Sequence, residues 1–233
     1  MAGGDGSLAS VASVALERDL PFMIVPLGTR NHFARDLGLD PDDPKAALGA
    51  LDGRERRVDV AFVGDKLFVN NVSLGLYASF VHDPARKTRN RLVALARMLP
   101  AALGRGRQPL DLSFGLEGRR EHRAALVVLV ANNDYRLDRM ADLGERTKLD
   151  EGLLHAYIVE AVERRALFRL LLRAAIGDAG QARGLVEWSA ERFSVESAYR
   201  RIHAAVDGEP AVLDSPLEFQ IRPRSLRVLL PRP

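Results

Sequence analysis

The chain has 233 residues, 47% of them apolar and 28% charged, and 34 Lys and Arg against 31 Asp and Glu leave a formal net charge of +3. That composition is globular and argues against a disordered chain, and so mild a positive charge does not call for nucleic acid as a partner. Cysteine is absent, which excludes disulfides, thiolate catalysis and Cys-ligated zinc. No apolar run is long enough to span a bilayer, and the start MAGGDGSLAS lacks the basic-then-apolar order of a secretory signal. A cytoplasmic location is the expectation.

Gly3, Gly4 and Gly6 open the chain, and residues 7–18 suit a helix with Ser7 near its cap. Phe22 to Val25 form a short apolar run before Pro26, as in a buried strand. Leu27 to Asn31 is a turn, a second helix runs to Leu37, and residues 44–51 offer a short third one stopped at Gly53. Beyond Gly53 the period shifts to alternation. Val58, Val60 and Phe62, then a Gly64-Asp65 turn, then Leu67 to Val69 read as a hairpin. Residues 86–103 look helical and basic. Leu110 to Phe114, Ala124 to Val130 and Leu154 to Ile158 read as strands, and Arg164 to Ile176 as an amphipathic helix. Further strands are expected around Phe193, over 202–206, over 217–221 and over 226–230. A short α/β piece (1–53) therefore precedes a mostly β region (54–233) with two inserted helices, and the extreme C-terminus is allowed to pack back on the first piece.

Two elements carry candidate chemistry. In Gly3-Gly4-Asp5-Gly6-Ser7, glycines at a helix start can expose backbone N–H groups to an anion, and the positive end of the helix adds to the attraction. Asp5 repels phosphate directly, so its use there would be through Mg²⁺ or a hydroxyl. In Pro26-Leu27-Gly28-Thr29-Arg30-Asn31-His32-Phe33-Ala34-Arg35 the same logic recurs: Thr29 can donate its hydroxyl, and Asn31 can bond to the neighbouring turn. Taken singly, each is equally an ordinary terminus or a capped loop. The histidines (His32, His82, His122, His155, His203) show no pair at metal-ligand spacing, and neither a P-loop nor a GxSxG elbow is present.

Together the two elements, GGDG-Ser and then PLGTxNxFAR, resemble the diacylglycerol kinase catalytic family, which includes bacterial lipid kinases and sphingosine kinases. The resemblance continues in Val58-Asp59-Val60, in Phe68-Val69-Asn70-Asn71-Val72-Ser73-Leu74-Gly75, in Leu149-Asp150-Glu151-Gly152-Leu153-Leu154 and in Asp207-Gly208-Glu209-Pro210. It implies an α/β nucleotide domain like that of phosphofructokinase and nicotinamide nucleotide kinases, followed by a β-sandwich, with the site in the cleft. It implies transfer of the γ-phosphoryl group of ATP, with Mg²⁺, to a lipid hydroxyl such as that of diacylglycerol at a membrane surface. By that resemblance Gly3, Gly4, Asp5, Gly6, Ser7, Gly28, Thr29 and Asn31 hold the nucleotide, and Asp207, Gly208 and Glu209 lie close to it. Asp5 and Asp59 would serve the metal, and Glu151, with Asp150 beside it, would be the general base. A carboxylate within reach of the acceptor hydroxyl can take its proton as the new bond forms, although on spacing alone Glu151 reads first as a solvated turn residue, and it is the resemblance that favours the base.

The family's nucleotide domain begins well upstream of GGDG, so the resemblance implies a truncated first domain. Arg30 and His32 stand where Gly and Asp are usual, and Glu151 replaces Asp, lengthening the arm by one methylene. Two rival readings follow: an impaired fragment acting as a lipid- or partner-binding module, and a kinase of a soluble nicotinamide nucleotide. The basic residues Arg86, Lys87, Arg89, Arg91 and Arg97, and likewise Arg164, Arg165, Arg169 and Arg173, flank apolar side chains and suit either a solvated face or an anionic membrane. A homodimer is compatible with the sequence.

Overall fold

The computed structural model describes residues 1–29, 31–75, 78, 109–116, 118–135, 146, 148–175 and 184–232. The basic segment 86–103 and Arg30 lie outside the described residues.

The N-terminal part is small. Strand β1 (Ala2–Gly3) runs into helix α1 (Asp5–Glu17), and β2 (Val25–Pro26) returns parallel to β1. Helix α1 is rich in Ala and presents Leu8, Ala12 and Ala15 as one buried stripe. It begins ahead of the expected cap: Gly4 occupies that position, and Ser7 lies inside the first turn with its hydroxyl donating to Gly4 O at 3.2 Å. The expected strand over Phe22 to Val25 is split. Phe22 forms a single parallel bridge to Val228, and only Val25–Pro26 pairs with β1. Helix α2 (His32–Asp36) and a 3-10 turn (Ala46–Asp52) complete this part.

The rest is a curled antiparallel sheet, 11-stranded among the described residues. The hairpin β3 (Arg54–Val63) and β4 (Lys66–Phe68) is followed by β5 (Asn71–Gly75), β6 (Leu110–Leu116), β7 (Arg119–Asn132) and β8 (Leu154–Glu160). After helix α3 (Arg164–Ala175) come β9 (Leu185–Ala190), β10 (Arg192–Ser197), β11 (Arg201–Val206), β12 (Glu209–Asp214) and β13 (Leu217–Leu230). The curl has a visible origin in β7. Its first half pairs with β6 and its second half with β5, while β8 runs along its other edge. The sequence expectation missed β1, β5, β9 and β12. It also divided β13, which is one strand with an irregularity between Arg222 and Leu226, where Pro223 interrupts the ladder.

Two large apolar cores form among the described residues. One lies inside the curl, with Phe68, Leu74, Phe114, Val128, Ile158 and Phe219 among its members. The other packs α1 and α2 (Leu8, Ala12, Phe33, Ala34) on the opposite side of β3 and β13. Alternation along β3 feeds both: Ala61 and Val63 face the curl, and Val58, Val60 and Phe62 face the helices. Strand β13 likewise gives Leu217, Phe219 and Ile221 to the first core and Leu226, Val228 and Leu230 to the second. Each large apolar side chain so enclosed contributes about 1.5–3 kcal/mol.

Candidate active site

The two glycine turns touch. A Cβ on Gly28 would stand 2.4 Å from Gly4 Cα, and a Cβ on Gly4 would stand 2.8 Å from Gly28 Cα, so only glycine permits this backbone contact. Asn31 holds the second turn closed: Gly28 N–H donates to its Oδ1 at 3.0 Å, and its Nδ2 donates to Gly28 O at 2.8 Å. Asn31 is buried and left-handed (φ 51°), a conformation Asn tolerates better than most residues. Asp5 supplies the cap for α2, accepting from His32 N–H at 3.1 Å and Phe33 N–H at 3.4 Å. The residues expected to bind a nucleotide and a metal thus also build the turn. Ser7 and Thr29 remain exposed beside it, and the first turn of α1 carries no side-chain cap.

The β11–β12 turn reaches this place from the sheet. Glu209 Oε1 lies 2.9 Å from where a Cβ on Gly6 would stand, so the carboxylate rests against the start of α1. Asp207 is left-handed (φ 48°). Its Oδ2 accepts from Val69 N–H at 2.9 Å, and its Oδ1 from the N–H groups of Asn70 at 2.8 Å and Asn71 at 3.0 Å. Burial pushes the Asp207 carboxyl up to about 6, against the three N–H groups and the Arg146 charge, which pull it down.

Arg146 is a hub that no motif or periodicity marks. Its side chain is fully buried and pairs with Asp36 of α2, itself 2% exposed, through Nε to Oδ2 at 2.8 Å and Nη2 to Oδ2 at 2.7 Å. Its other donors reach Val69 O, Asn132 O at 3.0 Å and Asn70 Oδ1 at 2.9 Å. The guanidinium also lies over the rings of Phe33 and Tyr135, 5.7 and 5.8 Å from their centroids. The contacts close a ring. It runs from Asp5 through α2 to Asp36, Arg146, Asn70, Asp207 and Glu209, and back to Gly6.

The acidic bend forms a second cluster joined to that ring. Buried Asn132 donates through Nδ2 to Asp59 O and Val69 O, each at 3.0 Å, while its own N–H donates to Asn70 O at 3.0 Å. Glu151 N–H donates to Asn133 Oδ1 at 3.1 Å. Asp59 is 1% exposed, and its carboxylate accepts from Gly152 N–H and Arg224 N–H, both at 2.7 Å. It ties β3 to the bend and to the irregularity of β13. Asp150 faces Arg56 at 3.8 Å and Arg224 at 3.9 Å. Glu151 pairs with Lys148 at 3.4 Å and lies 3.8 Å from His155 Nε2. A groove of about 800 Å³ lined by Arg119, Arg120, Glu191, Arg192 and Glu218 reaches Leu153 beside the bend, and none of the expected site residues lines it.

A glycine-turn α/β layer set against a curled antiparallel sheet is the arrangement of the diacylglycerol kinase class. Residues 1–63 match the diacylglycerol kinase catalytic domain, and residues 73–230 match the YegS C-terminal NAD kinase beta sandwich-like domain. The YegS-like probable lipid kinase of Pseudomonas fluorescens is 32% identical over 235 residues, an alignment covering 98% of this chain and 76% of that protein. The diacylglycerol kinase of Bacillus subtilis is 24% identical over 240 residues, covering 99% and 77%. A crystal structure of a diacylglycerol kinase from Bacillus anthracis superposes with a TM-score of 0.69 at 17% identity, covering 98% of this chain and 74% of that one, and shares the fold. The chain belongs to the YegS-like family of lipid kinase homologues.

Proposed function

We propose that the chain is an ATP-dependent lipid kinase that phosphorylates a hydroxyl of a lipid such as diacylglycerol. The observation that carries the reading is the contact between Gly4 and Gly28 with Glu209 laid against Gly6. It gathers two phosphate-type turns, an exposed Thr29 and a carboxylate at one helix start.

The residues fit the nucleotide and its metal. The uncapped start of α1 offers backbone N–H groups and the positive helix end to phosphate oxygens, with Ser7 and Thr29 as hydroxyl donors. Glu209 is exposed and free to ligate Mg²⁺, whereas Asp5 and Asp59 have their oxygens turned to backbone N–H groups. Bound there, ATP with Mg²⁺ supplies an activated γ-phosphoryl group whose charge is neutralised. The protein's share is to orient the acceptor and take its proton as the new P–O bond forms and ADP leaves. We place that base at Asp207 rather than at Glu151. Three of the roughly four acceptor positions of its carboxylate are used by N–H groups, which leaves one for the substrate proton. Its raised pKa of about 6 keeps it ionised yet basic near neutral pH. Glu151 is instead engaged with Lys148.

For the lipid side, α3 buries Leu167 but leaves Phe168 49% exposed beside exposed Arg165 and Arg169, a face suited to an anionic bilayer.

The test is phosphoryl transfer from labelled ATP to diacylglycerol in mixed micelles. Transfer is expected, with Asp207→Asn lowering kcat by at least about 10²-fold and Glu151→Gln leaving it within a few-fold. The reverse pattern restores Glu151 as the base. Transfer to a soluble nicotinamide nucleotide with none to lipid overturns the reading.

A further inference from the structure

The outer face of β8 and β9 gathers a further polar group, which meets the acidic bend at Glu151 and lies outside the ring. On β8 the residues Leu154, Ala156 and Ile158 face the core, so His155 and Tyr157 share the opposite face. Glu187 stands across from Tyr157 on β9. Asp134 follows the left-handed turn at Asn133 (φ 67°), and the Tyr157 hydroxyl donates to its Oδ1 at 2.6 Å. His155 is stacked beside Tyr157 with its side chain 13% exposed. Both of its ring nitrogens are shut off from solvent, and neither has a hydrogen-bond partner. Nδ1 faces Asp134 Oδ1 at 3.7 Å and Glu187 Oε1 at 3.9 Å, and Nε2 faces Glu151 Oε2 at 3.8 Å.

Those separations are too long for hydrogen bonds, and a buried, unsatisfied imidazole is costly. They are close to what a metal would impose. One nitrogen and two carboxylate oxygens lie within 4.8 Å of one another. Tetrahedral ligands on bonds of about 2.0–2.1 Å stand about 3.3 Å apart, so a contraction of about half an ångström brings each carboxylate oxygen to that spacing from Nδ1, and the two oxygens, within 4.8 Å of each other, close with it.

We propose that Asp134, His155 through Nδ1, and Glu187 bind one Zn²⁺ ion, with solvent in the remaining position. Mixed imidazole and carboxylate ligation selects zinc over Mg²⁺ and Ca²⁺, which take all-oxygen sets. Glu151 places negative charge at Nε2, which favours the tautomer protonated there and leaves the Nδ1 lone pair for the ion. The Tyr157 hydroxyl holds the Asp134 carboxylate in place. The site draws on none of the residues assigned to ATP and stands independently of the kinase reading.

Calorimetric titration of the chelator-treated full chain with Zn²⁺, without nucleotide, tests it. A one-to-one site is expected. Its affinity should fall at least about tenfold, the scale that loss of even an outer partner brings, in both His155→Gln and Glu187→Gln, with Mg²⁺ unable to displace the ion. Glu187 is half-exposed, so its variant reports on binding without disturbing the core. A circular dichroism spectrum unchanged from the wild type checks this for each variant. Absence of a zinc site, wild-type affinity in either folded variant, or displacement by equimolar Mg²⁺ overturns the proposal.

Discussion

Arg146 and Asp36 form a fully enclosed ion pair, Nε to Oδ2 at 2.8 Å, between residues 110 positions apart in the chain. That pair is what fixes α2, and through Asp5 the glycine turns, to the strand ends that carry Asn70 and Asp207. Removing one partner strands a buried charge. Asp36→Asn is expected to cost about 3–5 kcal/mol in urea unfolding, and the double replacement Asp36→Leu with Arg146→Met less than either single change. A double variant as unstable as the sum of the singles would contradict this account.

The contact of Gly4 with Gly28 and that of Gly6 with Glu209 differ in what a methyl group would meet. At Gly28 it meets backbone, and Gly28→Ala is expected to cost about 1–3 kcal/mol and to abolish nucleotide binding. At Gly6 it meets the end of a flexible side chain. Gly6→Ala should therefore keep stability within about 0.5 kcal/mol while weakening ATP binding by displacing Glu209. Thermal melts and binding of a fluorescent ATP analogue on both proteins separate the two effects.

Asp207 gives a pH signature. Its folded pKa of about 6 lies above the ordinary aspartate value of 3.8. The folded state therefore holds the proton more tightly, and the stability this confers is complete below the unfolded value and lost as pH rises through about 6. The loss amounts to about 3 kcal/mol. Asp207→Asn should flatten the stability profile between those limits, as read by urea unfolding across pH. In the wild type, kcat/KM should fall on the acid side of about pH 6.

Asp59 accepts two short bonds from backbone N–H groups while sealed from solvent. In Asp59→Asn an amide NH₂ must face one of those donors, and the expected cost is about 1–3 kcal/mol in urea unfolding. Mg²⁺-dependence of catalysis should stay as in the wild type, and a raised Mg²⁺ requirement would return Asp59 to the metal.

Phe168 leaves about half its surface exposed on α3. Phe168→Ser should lower sedimentation with anionic vesicles about fivefold, corresponding to about 1 kcal/mol of lost apolar burial, with unchanged helicity by circular dichroism.

Much of this architecture was legible in sequence because it is local. Alternation at Val58, Val60 and Phe62 announced β3, and the glycine spacing announced both turns. What escaped depended on partners far along the chain. Strand β12 was hidden because Glu209 to Asp214 is mostly exposed and turns only Ala211 and Leu213 to the core, too few to show an alternation. Strand β13 was cut in two because Pro223 interrupts its pattern, although β3 carries the pairing across the gap. Arg146 had no signal, since only the fold brings Asp36, Asn70 and Asn132 around it. The turn bonds of Asn31 were legible beside its expected contact with the nucleotide, whereas Asp5 and Asp59 were read as metal ligands and each satisfies backbone donors, a use that one-dimensional spacing does not distinguish.

Because β3 and β13 supply side chains to both apolar cores, the half that carries the glycine turns and the half that carries the acidic bend share one wall among the described residues. A hinged swing of one half over the other would tear a shared wall.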